Sequence, residues 1–379
     1  MPPFDVADNL ALLEGSKEPD MGVSFGLKTS TGIIAAVLVI AAAAQARQVF
    51  APLVAALFII AIVWPLQKRL QSWMPKLVAL AITITVTVAV CLGFASLAAW
   101  GFGRVGRSLV ADAARYQALY AAMVAWLDGH GVSVAGLWAE HFNVSWLLRA
   151  TQYVTGRVNT TLSFWVIVLV YVMLGLLEVE NVREKIERLD NRTAARVLLD
   201  GSAATAAKFR RYLLVRTKMS AVTGLLVGIF AAITGLPFAI EWGVIAFVLN
   251  YIPFVGPFIA TLFPTLLAMT QFESWPAVVG VFACLNIIQF AVGSYVEPRV
   301  AGTMLSISPV LVLFAILLWT SLWGLFGTFI GVPIALAILT FCAAHPSSRW
   351  IADLLGGPEP AKPGKLQNLV GSDRIRTGP

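Results

Sequence analysis

Charge is what this chain has least of. Its 27 Lys and Arg and 20 Asp and Glu make only 12% of 379 residues, against roughly 25% in a soluble domain. That deficit excludes an ordinary water-soluble globule. Cysteine is almost absent too. Cys91, Cys284 and Cys342 each fall in an apolar run, so no disulfide framework or thiolate metal site is implied, and the three read as small buried hydrophobes. The histidines, His130, His141 and His345, are scattered without ligand spacing, so neither a metal nor a cofactor is expected. The chain has no GxxxxGK[ST] motif, so it carries no Walker-type ATPase of its own. No HExxH and no Ser/His/Asp set is found, and an enzyme is not expected. Residues 1–30 lack a basic n-region and carry five acids and two lysines. The first span is therefore expected to direct insertion, without a cleavable signal.

What is present is hydrophobicity. It reaches 59% of residues, and apolar runs recur from Thr31 to Ala344. The expected fold is all-α: a polytopic helical membrane protein with about eight membrane segments, seven to nine being admissible. The net charge of +7 fits loops that face anionic lipid rather than nucleic acid.

Changes in composition divide the chain. Residues 1–30 form a polar tail. Residues 31–100 hold the N-terminal membrane helices: a hairpin of two short segments around Arg47-Gln48, a loop at Pro65–Lys76, and the span Leu77–Trp100. Residues 101–160 spread their charges and place apolar residues at helical spacing, as in Leu119, Met123, Trp126 and Leu127. They are expected to be an amphipathic interfacial or extramembrane lobe. Residues 161–178 hold a further span. Residues 179–218 are strongly basic, with ten Lys/Arg against five acids from Glu180 on, and are expected to be surface helices. Residues 219–344 form a C-terminal membrane core with broken or re-entrant helices, and 345–379 a flexible tail. The positive-inside rule puts both basic loops and both termini in the cytoplasm and the lobe outside.

The break in the core follows from length. Trp242 to Phe272 is 31 residues without a charge or a histidine. As one helix it would be about 46 Å long, against a hydrocarbon thickness of about 30 Å. Pro253, Gly256 and Pro257 interrupt it. Val300–Ala344, 45 uncharged residues, is interrupted by Pro309, Gly324, Gly327, Gly331 and Pro333. Irregular backbone at membrane depth is tolerated where it is buried in protein or lines a wet cavity, and such breaks form binding sites in transporters.

Several motifs carry two readings. Gly101-x-Gly103-x-x-Gly106 matches a dinucleotide fingerprint, but it follows a membrane span rather than a strand, so flexible glycines at a helix end are expected. Gly224xxxGly228 and Gly327xxxGly331 imply close helix packing. Glu297-Pro298-Arg299 separates two uncharged runs. It is either a functional charge near membrane depth or a span end where Pro298 stops the helix. Asn250, Asn286 and Gln289 are either interhelical hydrogen-bond glue or cavity lining.

Taken together, these residues resemble the autoinducer-2 exporter family. The resemblance runs from about Thr31 to Ala344. It rests on Lys208-Phe209-Arg210-Arg211-Tyr212-Leu213, on Trp242-Gly243 with Leu249–Pro257, on Glu297–Gly302 with Leu305–Pro309, and on Trp323-Gly324-x-x-Gly327 with Val332-Pro333. Ala301, Ser306, Ser308 and Val215 depart from the family pattern. The resemblance implies a homo-oligomeric permease of the bacterial inner membrane that exports a signal molecule, with sodium/proton antiport in some members.

The expectation is a secondary transporter of a small polar molecule or ion, in contact with lipid and without nucleic acid. Its pathway is placed around Asn250, Pro253, Gly256, Pro257, Asn286, Gln289, Glu297 and Arg299. A sodium/proton-type cation antiporter and a non-transport membrane assembly protein are the rivals.

Overall fold

The computed structural model describes residues 44–111, 158–272, 274–301 and 307–356, with isolated positions between 34 and 42 and between 114 and 129. The chain forms two compact units, Met1–Phe50 and Ala51–Pro379. In the first, the described residues from 41 onward are helical except for a turn at Ala46. Most of the first hairpin segment, most of the 101–160 lobe and most of the tail lie outside the described residues.

The described residues are nearly all helical. Among the described residues, six helices are long and apolar enough to cross a membrane, and three shorter apolar helices accompany them. In chain order the first four are α1 (Arg47–Gln71), α2 (Lys76–Ala111), α3 (Val158–Glu187) and α4 (Arg192–Ile233). Then come α5 (Ala239–Leu249), α6 (Val255–Gln271) and α7 (Trp275–Phe290). A π-helical turn (Ala291–Val296) leads into α8 (Glu297–Ala301), followed by α9 (Pro309–Trp323), α10 (Leu325–Ala344) and the short α11 (Arg349–Leu355). Large apolar side chains such as Leu77, Val90, Leu225, Phe258, Phe290 and Leu317 stay exposed, as lipid-facing surfaces require.

Helix ends differ from expectation in instructive ways. α1 continues through Pro65 to Gln71, so the loop expected over Pro65–Lys76 shrinks to four residues. α2 continues past Trp100 to Ala111. The Gly101–Gly106 motif is therefore helix interior, and Gly101 is buried against Val244. α4 passes residue 218 without interruption. Its 42 residues make about 63 Å, far more than one membrane crossing. Asn191 caps its start by accepting the Ala194 N–H at 3.0 Å, which satisfies one of the first-turn amides.

Two close-packed helix pairs organise the C-terminal half. In the first, Gly224 and Gly228 of α4 face Gly243 of α5. A Cβ on Gly224 would lie 2.6 Å from the Gly243 carbonyl oxygen. In the second, α9 turns at Gly324 (φ 65°) into α10. There a Cβ on Gly327 would collide with the Trp319 carbonyl, and one on Gly331 would sit 3.0 Å from the Ala315 oxygen. Small residues at helical spacing let the backbones approach this closely.

Cross-helix contacts along α2 mark the membrane faces. Lys76 Nζ donates to the Leu177 carbonyl at 3.2 Å and lies 3.7 Å from Glu180. At the other end Arg104 pairs with Glu241 at 2.9 Å. The 28 residues between Lys76 and Arg104 span about 42 Å, which matches a bilayer with its headgroup regions at about 40–45 Å. One core cluster joins α2, α4, α5, α6 and α7 through Val105, Val227, Trp242, Ile245, Leu267 and Leu285. A second joins α1, α2 and α3 through Ala56, Leu80, Val168, Val172 and Leu176.

Candidate functional site

The helix break expected near Pro253 is present. α5 ends at Leu249 and α6 begins at Val255. Gly256 is buried so tightly that a Cβ there would strike the Leu249 carbonyl. Phe254 is forced to φ 62°, a region that L-residues rarely occupy. The break is self-satisfied rather than open. Ile252 N donates to Leu249 O at 2.8 Å, Val255 N to Pro253 O at 2.7 Å and Gly256 N to Ile252 O at 3.0 Å. Toward α4 the break presents the side chains of Asn250 and Tyr251.

α4 meets them with one face. Tyr212, Arg216 and Ser220 recur every four residues, with Thr217 beside them. The amide of Asn250 donates to Ser220 Oγ at 3.2 Å, and the Tyr251 hydroxyl donates to Thr217 Oγ1 at 2.8 Å. Arg216 Nη1 donates to both carboxylate oxygens of Glu297, at 2.9 and 3.0 Å. Arg216 is only 8% exposed, and its Nε is buried with no hydrogen-bond partner among the described residues. Three cross-helix polar contacts thus fall within the five-residue stretch Arg216–Ser220 of α4.

This polar seam lies between the membrane faces. The Tyr251 ring packs on Phe94 of α2 (centroids 5.5 Å), on Phe247 (5.6 Å) and, stacked, on Phe329 of α10 (5.8 Å). Phe94 stands about 15 Å along α2 from Arg104 and about 27 Å from Lys76. A charged pair at that depth persists only because each partner neutralises the other.

Glu297 is aimed by the π-helical turn. Its N–H bonds Val292 O, five residues back. In a regular α-helix the Pro298 ring would press on the Ser294 carbonyl; the wider π turn removes that conflict, and such turns recur at functional sites. Pro298 therefore does not stop the helix, which continues to Ala301.

The other expected residues are distributed differently. Pro253 and Pro257 are half-buried in the break and the first turn of α6. Asn286 is exposed and donates back to its own helix, to Phe282 O at 2.8 Å. Gln289 is half-buried, and its amide nitrogen has no partner among the described residues. Arg299 is exposed and lies over the Tyr295 ring at 4.6 Å. Arg216, Thr217, Ser220 and Tyr251 were absent from the expected set. Arg216 and Thr217 sat in the basic block assigned to the surface, and only the four-residue spacing into Ser220 gave them away. Lys208 and Arg210 tie α4 to its neighbours, donating to Thr340 Oγ1 at 3.2 Å and Ala61 O at 2.7 Å. Among the described residues no group of three or more His, Cys, Asp or Glu could hold a metal.

Membrane-length helices, two glycine-packed pairs and a buried ion pair beside a broken helix define a multi-pass membrane transporter of a small molecule. The chain belongs to a particular family of these: residues 33–347 match the AI-2E family transporters. It is similar to the AI-2 transport protein TqsA of Escherichia coli K12, with 26% identity over 87% of this chain and 96% of that protein. A proposed transport protein of Haemophilus influenzae is 24% identical over 88% of this chain and 98% of its own. YhhT of Escherichia coli K12, another proposed transport protein, is 27% identical over 55% and 59%.

Proposed function

We propose that the protein is a secondary exporter of a small polar molecule, acting in a bacterial inner membrane, and that its pathway runs along the α4 seam. The observation that carries this reading is the alignment of Arg216–Glu297, Ser220–Asn250 and Thr217–Tyr251 on one helix face beside a broken helix. A polar solute passing there exchanges the neutral Ser220–Asn250 and Thr217–Tyr251 contacts for its own, at small net cost per bond. The name of TqsA makes autoinducer-2 the first solute to try. The chain acts as a carrier rather than a catalyst, and the family resemblance supports a homo-oligomer.

Glu297 is the coupling candidate. Its side chain keeps 27% exposure while Arg216 keeps 10%, so ions reach the carboxylate more readily than the guanidinium. A proton or sodium ion on Glu297 would release Arg216 to a solute. The test is autoinducer-2 efflux from proteoliposomes, with and without imposed proton and sodium gradients. The wild type is expected to transport, and Glu297→Gln to lose its gradient dependence. Unchanged flux and ion dependence in Glu297→Gln would refute the coupling role. Absence of flux in the wild type would reject autoinducer-2 as the solute.

A further inference from the structure

An open apolar groove of about 520 Å³ lies between α2, α4 and α5, beside the seam. Leu97, Ala221, Gly224, Gly228, Gly243 and Phe247 are among its walls, and every lining residue is apolar or glycine. Its depth comes from the glycines that let α4 and α5 meet at backbone distance.

One end of the groove is charged. Ala239 and Ile240 of α5 line it, and the next residue, Glu241, pairs with Arg104 at 2.9 Å. The Arg104 side chain is still 52% exposed, whereas Glu241 is buried. Its guanidinium lies 6.0 Å from the Trp100 ring centroid, and Trp100 is itself exposed. Arg107, one turn further along α2, is exposed as well. Among the described residues, two cations against one buried carboxylate leave this end positive. An exposed Trp beside Arg at the end of an apolar run is the pattern of a headgroup boundary.

We infer that this groove is a binding site for an anionic phospholipid, with one acyl chain along α4 and α5 and the phosphate against Arg104 and Arg107. The exposed Arg104 and Arg107 at one end and the purely apolar walls beyond them match a phosphate joined to an acyl chain, which is why a lipid is favoured as the occupant. Phe247 joins the groove to the seam: it lines the groove and packs against Tyr251.

Native mass spectrometry of the full chain, released from detergent after titration with dioleoyl phosphatidylglycerol or dioleoyl phosphatidylcholine, tests the site. Retention of the anionic lipid is expected to exceed that of the zwitterionic one by about fivefold, the worth of one basic residue near a charged surface. Arg107→Gln should remove the preference and Arg107→Lys should keep it. Ala232→Phe, which fills the groove from an exposed lining position, should lower retention of both lipids. Equal retention of the two lipids, or indifference to Arg107→Gln and Ala232→Phe, would overturn the site. So would cross-linking of Ala232→Cys to a second copy with no lipid dependence. None of these readouts requires the solute, so the site stands or falls apart from the export reading.

Discussion

Breaking the Arg216–Glu297 pair should cost stability in a way that one further substitution restores. A fully buried ion pair that loses one partner typically costs about 3–5 kcal/mol, mostly from the charge left behind. Arg216 is nearly as buried as that case requires, and Glu297 is not. Glu297→Gln strands the buried guanidinium but leaves it one amide oxygen, so about 2–3 kcal/mol is expected. Arg216→Met strands the more exposed carboxylate and should cost less, about 1–2 kcal/mol. The double variant has no stranded charge and should be more stable than the sum of the singles by at least about 1 kcal/mol. Equilibrium unfolding in mixed micelles, followed by tryptophan fluorescence, gives the full cycle. Additivity within about 0.3 kcal/mol would refute the argument, because the two groups would then be energetically independent.

Three further outcomes follow from backbone geometry and can be read by the same unfolding assay. Gly224→Ala should destabilise by about 1–3 kcal/mol through overpacking, whereas Gly228→Ala, whose Cβ would rest 3.4 Å from the Ala239 carbonyl, should be nearly neutral; equal effects would contradict the close contact at Gly243. Gly256→Ala should be poorly tolerated, because its Cβ would strike the Leu249 carbonyl; normal yield and stability would show that the break relaxes. Phe254→Gly should stabilise by up to about 1 kcal/mol, since it relieves a positive φ at a 58% exposed position; a loss of stability would mean that the ring packs where the chain looks exposed.

The sequence exposed the large-scale breaks because length and proline chemistry leave few options. A 31-residue uncharged run with Pro253 and Pro257 has to bend, and it bends at Asn250–Phe254. Proline alone was a poor guide elsewhere. Pro65, Pro264 and Pro333 lie inside continuous helices; at Pro65 the freed Ala61 carbonyl accepts from Arg210 instead. The turn in the last long run falls at Gly324, the residue able to take φ 65°. The site was only half legible. Asn250 stood out as a polar residue inside an apolar run and Glu297 as a charge at the end of one. Their partners did not, because Arg216 resembles its neighbours Arg210, Arg211 and Lys218 in composition and differs only in helical phase. Charge density assigned the stretch before 218 to the surface, while the four-residue spacing of Tyr212, Arg216 and Ser220 carries it inward.

The claim that matters most is that the α4 seam is a wet solute pathway rather than dry packing. It is tested by replacing Cys91, Cys284 and Cys342, introducing Ser220→Cys or Leu225→Cys, and measuring reaction with a small water-soluble thiol reagent in membranes. The account predicts that the cysteine at 220 reacts and is protected by transported solute, while the cysteine at 225, on the apolar groove, reacts slowly and without protection. A folded Ser220→Cys protein that never reacts, or reacts without regard to solute, would contradict it.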